Sequence, residues 1–137
     1  MGYQGKALLI AVVFVCLGML QSLPACARDA DKSISSVREL LAALRKCWTP
    51  PPIASAHDGM EITVRFSITR NGTVFGKAAI RYESPDASNE ERMAYRISVA
   101  QAIERCAPFP VTEAFGNAIA GHPLNIKLTD RRKQRSV

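Results

Sequence analysis

The chain has 137 residues, 47% hydrophobic and 22% charged, with 18 Lys+Arg against 12 Asp+Glu for a formal net charge of +6. That size allows one domain with one modest core. Two distant histidines and four cysteines show no zinc spacing, so neither a metal nor a cofactor is expected.

Lys6 opens a short positive segment, and Ala7 to Leu20 is an apolar run without a charge. Ala25-Cys26-Ala27 then offers an A-x-A cleavage site before Arg28. The run is shorter than the ~20 residues a membrane-spanning helix needs. Residues 1–27 therefore read as a signal peptide, and the mature protein is expected to be exported to the periplasm. Two other readings compete. Leu23-Pro24-Ala25-Cys26 resembles a bacterial lipobox, in which Cys26 would carry lipid and hold the protein on a membrane; the leader could also stay as an uncleaved anchor.

Residues 28–35 form a polar lead-in. Ser36-Val37-Arg38-Glu39 matches a capping box, and Val37, Leu40, Leu41, Leu44 and Cys47 follow at helical spacing. Pro50-Pro51-Pro52 ends that helix, with Trp48 expected to cover its end. Residues 50–59 lack a period and read as a loop, with His57 solvated. From Glu61 the period becomes two: Ile62, Val64, Phe66 and Ile68 share one face of a strand, Thr63, Arg65, Ser67 and Thr69 the other. Asn71-Gly72 predicts a two-residue type I′ hairpin. The return strand runs from Thr73 to about Tyr82, with Val74, Ala78, Ile80 and Tyr82 on one face and Gly76 marking a bulge or bend.

Ser88-Asn89-Glu90-Glu91 is a second capping box. The helix it opens carries Met93, Ile97, Ala100 and Ile103 as its expected main stripe, with Val99 and Cys106 beside it. Pro108 and Pro110 end it, one helical turn is expected around Glu113–Phe115, and Leu124, Ile126 and Leu128 alternate with Asn125 and Lys127 as a third strand. The second helix is about as long as a strand of eight. It returns the chain across the sheet, so the third strand lies antiparallel beside the first. The expected fold is α+β, in the order α-β-β-α-β, with a three-stranded antiparallel sheet of order 2-1-3 and both helices on one face.

Once the leader is removed, Cys47 and Cys106 remain, each closing a core-facing helix before prolines. An oxidising compartment favours a Cys47–Cys106 disulfide. Two separate buried thiols are the other reading, and C-x-x-C redox spacing is missing. Residues 130–137 read as a basic tail. An exported chain rarely meets nucleic acid, so none is expected as a partner. The tail could touch anionic lipid or an acidic partner, or simply fray.

These stretches together resemble the C-terminal domain of TolA and TonB, closer to the TolA-like branch. Cys47-Trp48-Thr49-Pro50-Pro51, the run Ile62 to Val74 around Asn71-Gly72, Ala100 to Pro110, and Pro123-Leu124-Asn125-Ile126-Lys127-Leu128 carry the resemblance, over residues 36–129. It implies a periplasmic domain that docks an envelope protein or peptide at a sheet edge. Full-length members add a membrane anchor and a long linker, whereas here the domain follows the leader almost at once.

No nucleophile–base pair, G-x-S-x-G motif or phosphate-cradling glycine loop stands in the chain, so no catalytic residue is expected and the protein is not read as an enzyme. The expected function is protein binding by strand addition, with Leu124, Asn125, Ile126, Lys127 and Leu128 as the docking edge. The alternative is a small periplasmic inhibitor or lipoprotein acting through the loop 50–59.

Overall fold

The structure is a computed structural model that describes residues 33–132. The expected leader and cleavage site, Cys26 of the lipobox reading and tail residues 133–137 lie outside the described residues. Among the described residues, no helix is long and apolar enough to cross a membrane.

The elements run α1 (Val37–Cys47), a 3-10 turn (Ile53–Ser55), β1 (Glu61–Ile68), β2 (Val74–Glu83), α2 (Asn89–Cys106), α3 (Glu113–Ile119) and β3 (Leu124–Thr129). The three strands form one antiparallel sheet of order β2-β1-β3. This is the expected α+β fold, with α3 longer than the single turn expected around Glu113–Phe115. Thr112 caps α3 by accepting the Phe115 N–H.

β1 is central, and its alternation is complete: Ile62, Val64, Phe66 and Ile68 are buried. Beside them in the sheet lie Ile126 and Leu128 of β3, and across the core stand Leu40 and Leu44 of α1 and Tyr95, Val99 and Ile103 of α2. Each large apolar side chain removed from water contributes about 1.5–3 kcal/mol before the entropy cost of ordering it. Val37, expected in the α1 stripe, lies exposed at the first turn.

Both helix starts are capped by serine. Ser88 accepts the Glu91 N–H while Glu91 accepts the Ser88 N–H, a complete capping box. At α1, Ser36 accepts the Glu39 N–H, but the Glu39 carboxylate reaches past Ser36 to the N–H and hydroxyl of Ser35. The lead-in is also tied down: Ile34 is buried and bridges in parallel to Val111.

Three expectations are corrected. The hairpin is not a two-residue type I′ turn. Among the described residues none other than glycine has positive φ, so Asn71 does not take the left-handed conformation that type I′ requires. Gly72 donates to the Thr69 carbonyl and Thr69 to the Thr73 carbonyl, closing a three-residue loop in which only Gly72 is left-handed, at φ 80°. Second, the buried stripe of α2 is Tyr95, Val99, Ala102 and Ile103, while Met93 and Ile97 are 52% and 51% exposed. Apolar residues on both sides of α2 left two stripes possible, and α1 and the sheet cover the one containing Tyr95.

The third correction lies in β2. Its register against β1 shifts twice, between Thr63 and Val64 and between Arg65 and Ser67. The second shift spans Gly76, at φ 73°. The first changes the parity, so Ile80 opposes Val64 on the core side but Tyr82 opposes Thr63 on the open face.

Candidate functional site

The geometry of β3 follows from its register. Leu124, Ile126 and Leu128 oppose Phe66, Val64 and Ile62, and Asn125 and Lys127 oppose Arg65 and Thr63. Asp130, just past the strand, donates its N–H to the Met60 carbonyl. Antiparallel pairing alternates, so Leu124, Ile126 and Leu128 turn their backbone groups to β1, as Asp130 does. Asn125, Lys127 and Thr129 turn theirs away from the sheet. They form the outer edge.

The side chains alternate at right angles to this. Ile126 and Leu128 are buried, and Leu124 is partly buried against the same core. Asn125 and Lys127 lie on the open face, but neither is free. Asn125 Oδ1 accepts from Arg65 Nε at 3.1 Å, and Lys127 Nζ pairs with Glu61 Oε1 at 3.1 Å. The five expected edge residues therefore divide: three anchor the strand, and two carry the outward backbone groups.

The other edge of the sheet is β2. Its two register shifts and left-handed Gly76 break the even row of donors and acceptors that an added strand needs. β3 pairs with β1 without a shift over all six residues. It is the regular edge of the two.

The end of β3 is fixed by groups that the sequence assigned to the tail. Asp130 is 5% exposed. It accepts from the Tyr95 hydroxyl at 2.7 Å and from one edge of the Arg132 guanidinium, Nε to Oδ1 at 2.9 Å and Nη2 to Oδ2 at 2.6 Å. Arg132 also donates to the Pro51 carbonyl at 2.6 Å. Burial pushes the Asp130 carboxyl up, but the bonds from Arg132 and Tyr95 outweigh it and hold the group below the ordinary carboxylate range. Burial, then Asp130, push the Tyr95 phenol well above its usual value. The residues that could have signalled this are Tyr95, four before Val99 on the same stripe, and an acid directly after the alternation of β3.

His57 is not solvated as expected. Its Nε2 lies 3.0 Å from Asp86 Oδ2 and its Nδ1 3.2 Å from Glu91 Oε2. Both ring nitrogens thus face carboxylate oxygens, one from each side. The His57 hydrogen bond lowers the Asp86 carboxyl, and the Ser88 backbone bond lowers that of Glu91. The His57 carbonyl accepts the Tyr95 hydroxyl at 3.2 Å. Loop 50–59 is thus pinned at Pro51 and at His57, with Pro51 itself buried. No local sequence pattern marks His57 for this, because Asp86 and Glu91 come from the far end of the hairpin and the start of α2.

Cys47 and Cys106 form a disulfide with Cα atoms 5.8 Å apart. It joins the C-terminal ends of α1 and α2. Beside it Arg105 donates to the Cys47 carbonyl, and Trp48 Nε1 donates to the Ser98 hydroxyl at 3.0 Å with its ring against Tyr95. Among the described residues, no group of three or more His, Cys, Asp or Glu is placed to hold a metal ion.

Residues 30–132 match the sequence model of a family described as Uncharacterised conserved protein UCP034077. No curated protein and no solved structure matches the chain.

Proposed function

We propose that this chain, which belongs to the family Uncharacterised conserved protein UCP034077, is an exported protein-binding module of the periplasm. It resembles the C-terminal domain of TolA and TonB and docks an envelope protein or peptide by adding a strand to β3. The observation that carries the reading is the regular outer edge of β3, where Asn125, Lys127 and Thr129 direct their backbone groups away from the sheet. Each backbone pair formed there adds about 0.5–1.5 kcal/mol net, so a short extended segment gains useful affinity with few side-chain contacts.

Charge refines the partner. Lys127 shares its charge with Glu61 on the open face, and Arg65 lies next to Asn125. An incoming strand with acidic side chains on that face would compete with Glu61 for Lys127. The leader supports export, and the disulfide suits an oxidising compartment. Lipidated Cys26 or the tail would add membrane attachment.

Loop 50–59, on which an inhibitor reading depends, is held by Arg132, Tyr95, Asp86 and Glu91. That anchoring on both sides favours the edge over the loop.

The test is site-specific photocrosslinking in intact cells. A photoreactive residue at Lys127 should capture an envelope partner, and one at Lys77 on β2 should not. Asn125→Pro removes one outward donor without breaking the ladder, so it should abolish capture while the protein stays folded. Equal capture from Lys77, or capture from Lys127 unchanged by Asn125→Pro, would refute docking at β3.

A further inference from the structure

At the side of the sheet away from β3, β2 and α2 enclose an open groove of about 490 Å³ lined by Ile80, Arg81, Tyr82, Glu83, Pro85, Arg92 and Arg96. Three of its seven residues are arginines. Glu83 binds Arg96 through both carboxylate oxygens, and Asp86, next to Pro85 in the chain, pairs with His57, so these acids are already engaged. Arg92 donates Nη2 to the Pro85 carbonyl at 2.6 Å, while its Nε is buried without a hydrogen-bond partner among the described residues.

From this groove we infer a second binding site, for a phosphate group carried on a larger molecule. Among the described residues the Arg81 side chain makes no hydrogen bond or ion pair, and Arg92 uses one of its five donors. Arginine's planar fork fits phosphate oxygens in pairs. Arg81 and the remaining Nη group of Arg92 line one groove and offer more donors than a single carboxylate uses; a phosphate has more oxygens to offer. The groove is too large for the anion alone, and Ile80, Pro85 and the Tyr82 ring supply an apolar wall for what bears it. Arg81 comes from the irregular stretch of β2, whose register shift between Thr63 and Val64 also turns Tyr82 to the open face. The bulge that spoils β2 as a docking edge thus builds this groove. The site is separate from β3 and does not depend on strand addition.

The experiment titrates the full mature protein, disulfide intact, with inorganic phosphate, glycerol phosphate and acetate at low salt, read by backbone amide shifts. A parallel arm measures co-sedimentation with vesicles of phosphatidylglycerol in phosphatidylcholine. The expected result is saturable shifts at Arg81, Tyr82, Arg92 and Arg96 with both phosphates, and roughly ten- to hundred-fold weaker binding for Arg81→Gln and Arg92→Gln. Co-sedimentation that Arg81→Gln abolishes identifies the source as a lipid headgroup; phosphate binding without it identifies a soluble phosphate ester. The conservative Arg92→Lys keeps the charge and loses the fork, so it should bind more weakly than wild type. Acetate binding as tightly as phosphate, shifts spread over the surface, or affinity unchanged in both glutamine variants would overturn the assignment. Asn125→Pro should leave phosphate binding intact, so failure here and failure at β3 are told apart.

Discussion

Gly72 shows how much a single residue decides. It supplies the one left-handed position in the hairpin loop, and a Cβ placed on it would meet the Phe109 carbonyl oxygen at 1.9 Å. That approach is used: the Phe109 N–H donates to the Gly72 carbonyl at 2.9 Å. Gly116 plays a like part, since a Cβ there would lie 2.2 Å from the Arg70 carbonyl oxygen. The hairpin tip is therefore clasped between the Phe109 segment and α3. Gly72→Ala should destabilise by more than about 1 kcal/mol, a fall in melting temperature of several degrees by calorimetry. Asp130 sets the acid limit. Its carboxyl is held below the unfolded value by Arg132 and Tyr95, so its contribution is full above the ordinary carboxylate range and is lost as pH falls through the folded value. Denaturant titrations should show stability falling below about pH 4, with a shallower fall in Asp130→Asn, which starts lower at neutral pH.

At the scale of elements, the disulfide and α2 carry the argument. Cys47 and Cys106 are 59 residues apart, and closing a loop of that length stabilises by roughly 4 kcal/mol in the chain-entropy view. The double serine variant should melt well below wild type without reductant, and adding reductant should bring wild type down to it. The helix has two apolar sides, of which only one is buried. Ile103→Ala should cost about 2–5 kcal/mol, and Ile97→Ala about 0.5 or less, as measured by urea unfolding. Equal costs would mean that the stripe assignment is wrong. This is also where the sequence was hardest to read. Strand alternation in β1 and β3 has one solution, because a shift by one residue would expose every apolar side chain. Helix capping by Ser36 and Ser88 is local and equally plain. On α2, periodicity admits two faces, and the choice rests on contacts with α1 and β1 that lie far away in the chain. The bulges in β2 had one visible sign, Gly76; the parity change at Tyr82 had none.

For the whole molecule, order 2-1-3 makes β2 and β3 the two edges, and everything functional proposed here follows from their difference. The topology was legible because the lengths of α2 and the strands leave one economical path for the chain. The site was legible only as a stretch, Leu124 to Leu128. Which of those residues present backbone outward depends on register, fixed by pairs such as Val64 with Ile126 and by the Asp130 bond to Met60. The clamps join His57 to Asp86, 29 positions away, and Asp130 to Tyr95, 35 away; the first leaves no local trace, and the second only the acid that follows β3. Docking at β3 is tested most directly by amide hydrogen exchange of the mature protein, alone and with the partner captured at Lys127. The account predicts that the amides of Asn125, Lys127 and Thr129 exchange fast in the free protein and become protected together on binding, with Ile126 and Leu128 protected in both states. Protection confined to the helices or to β2, with those three amides still exchanging fast, would contradict it.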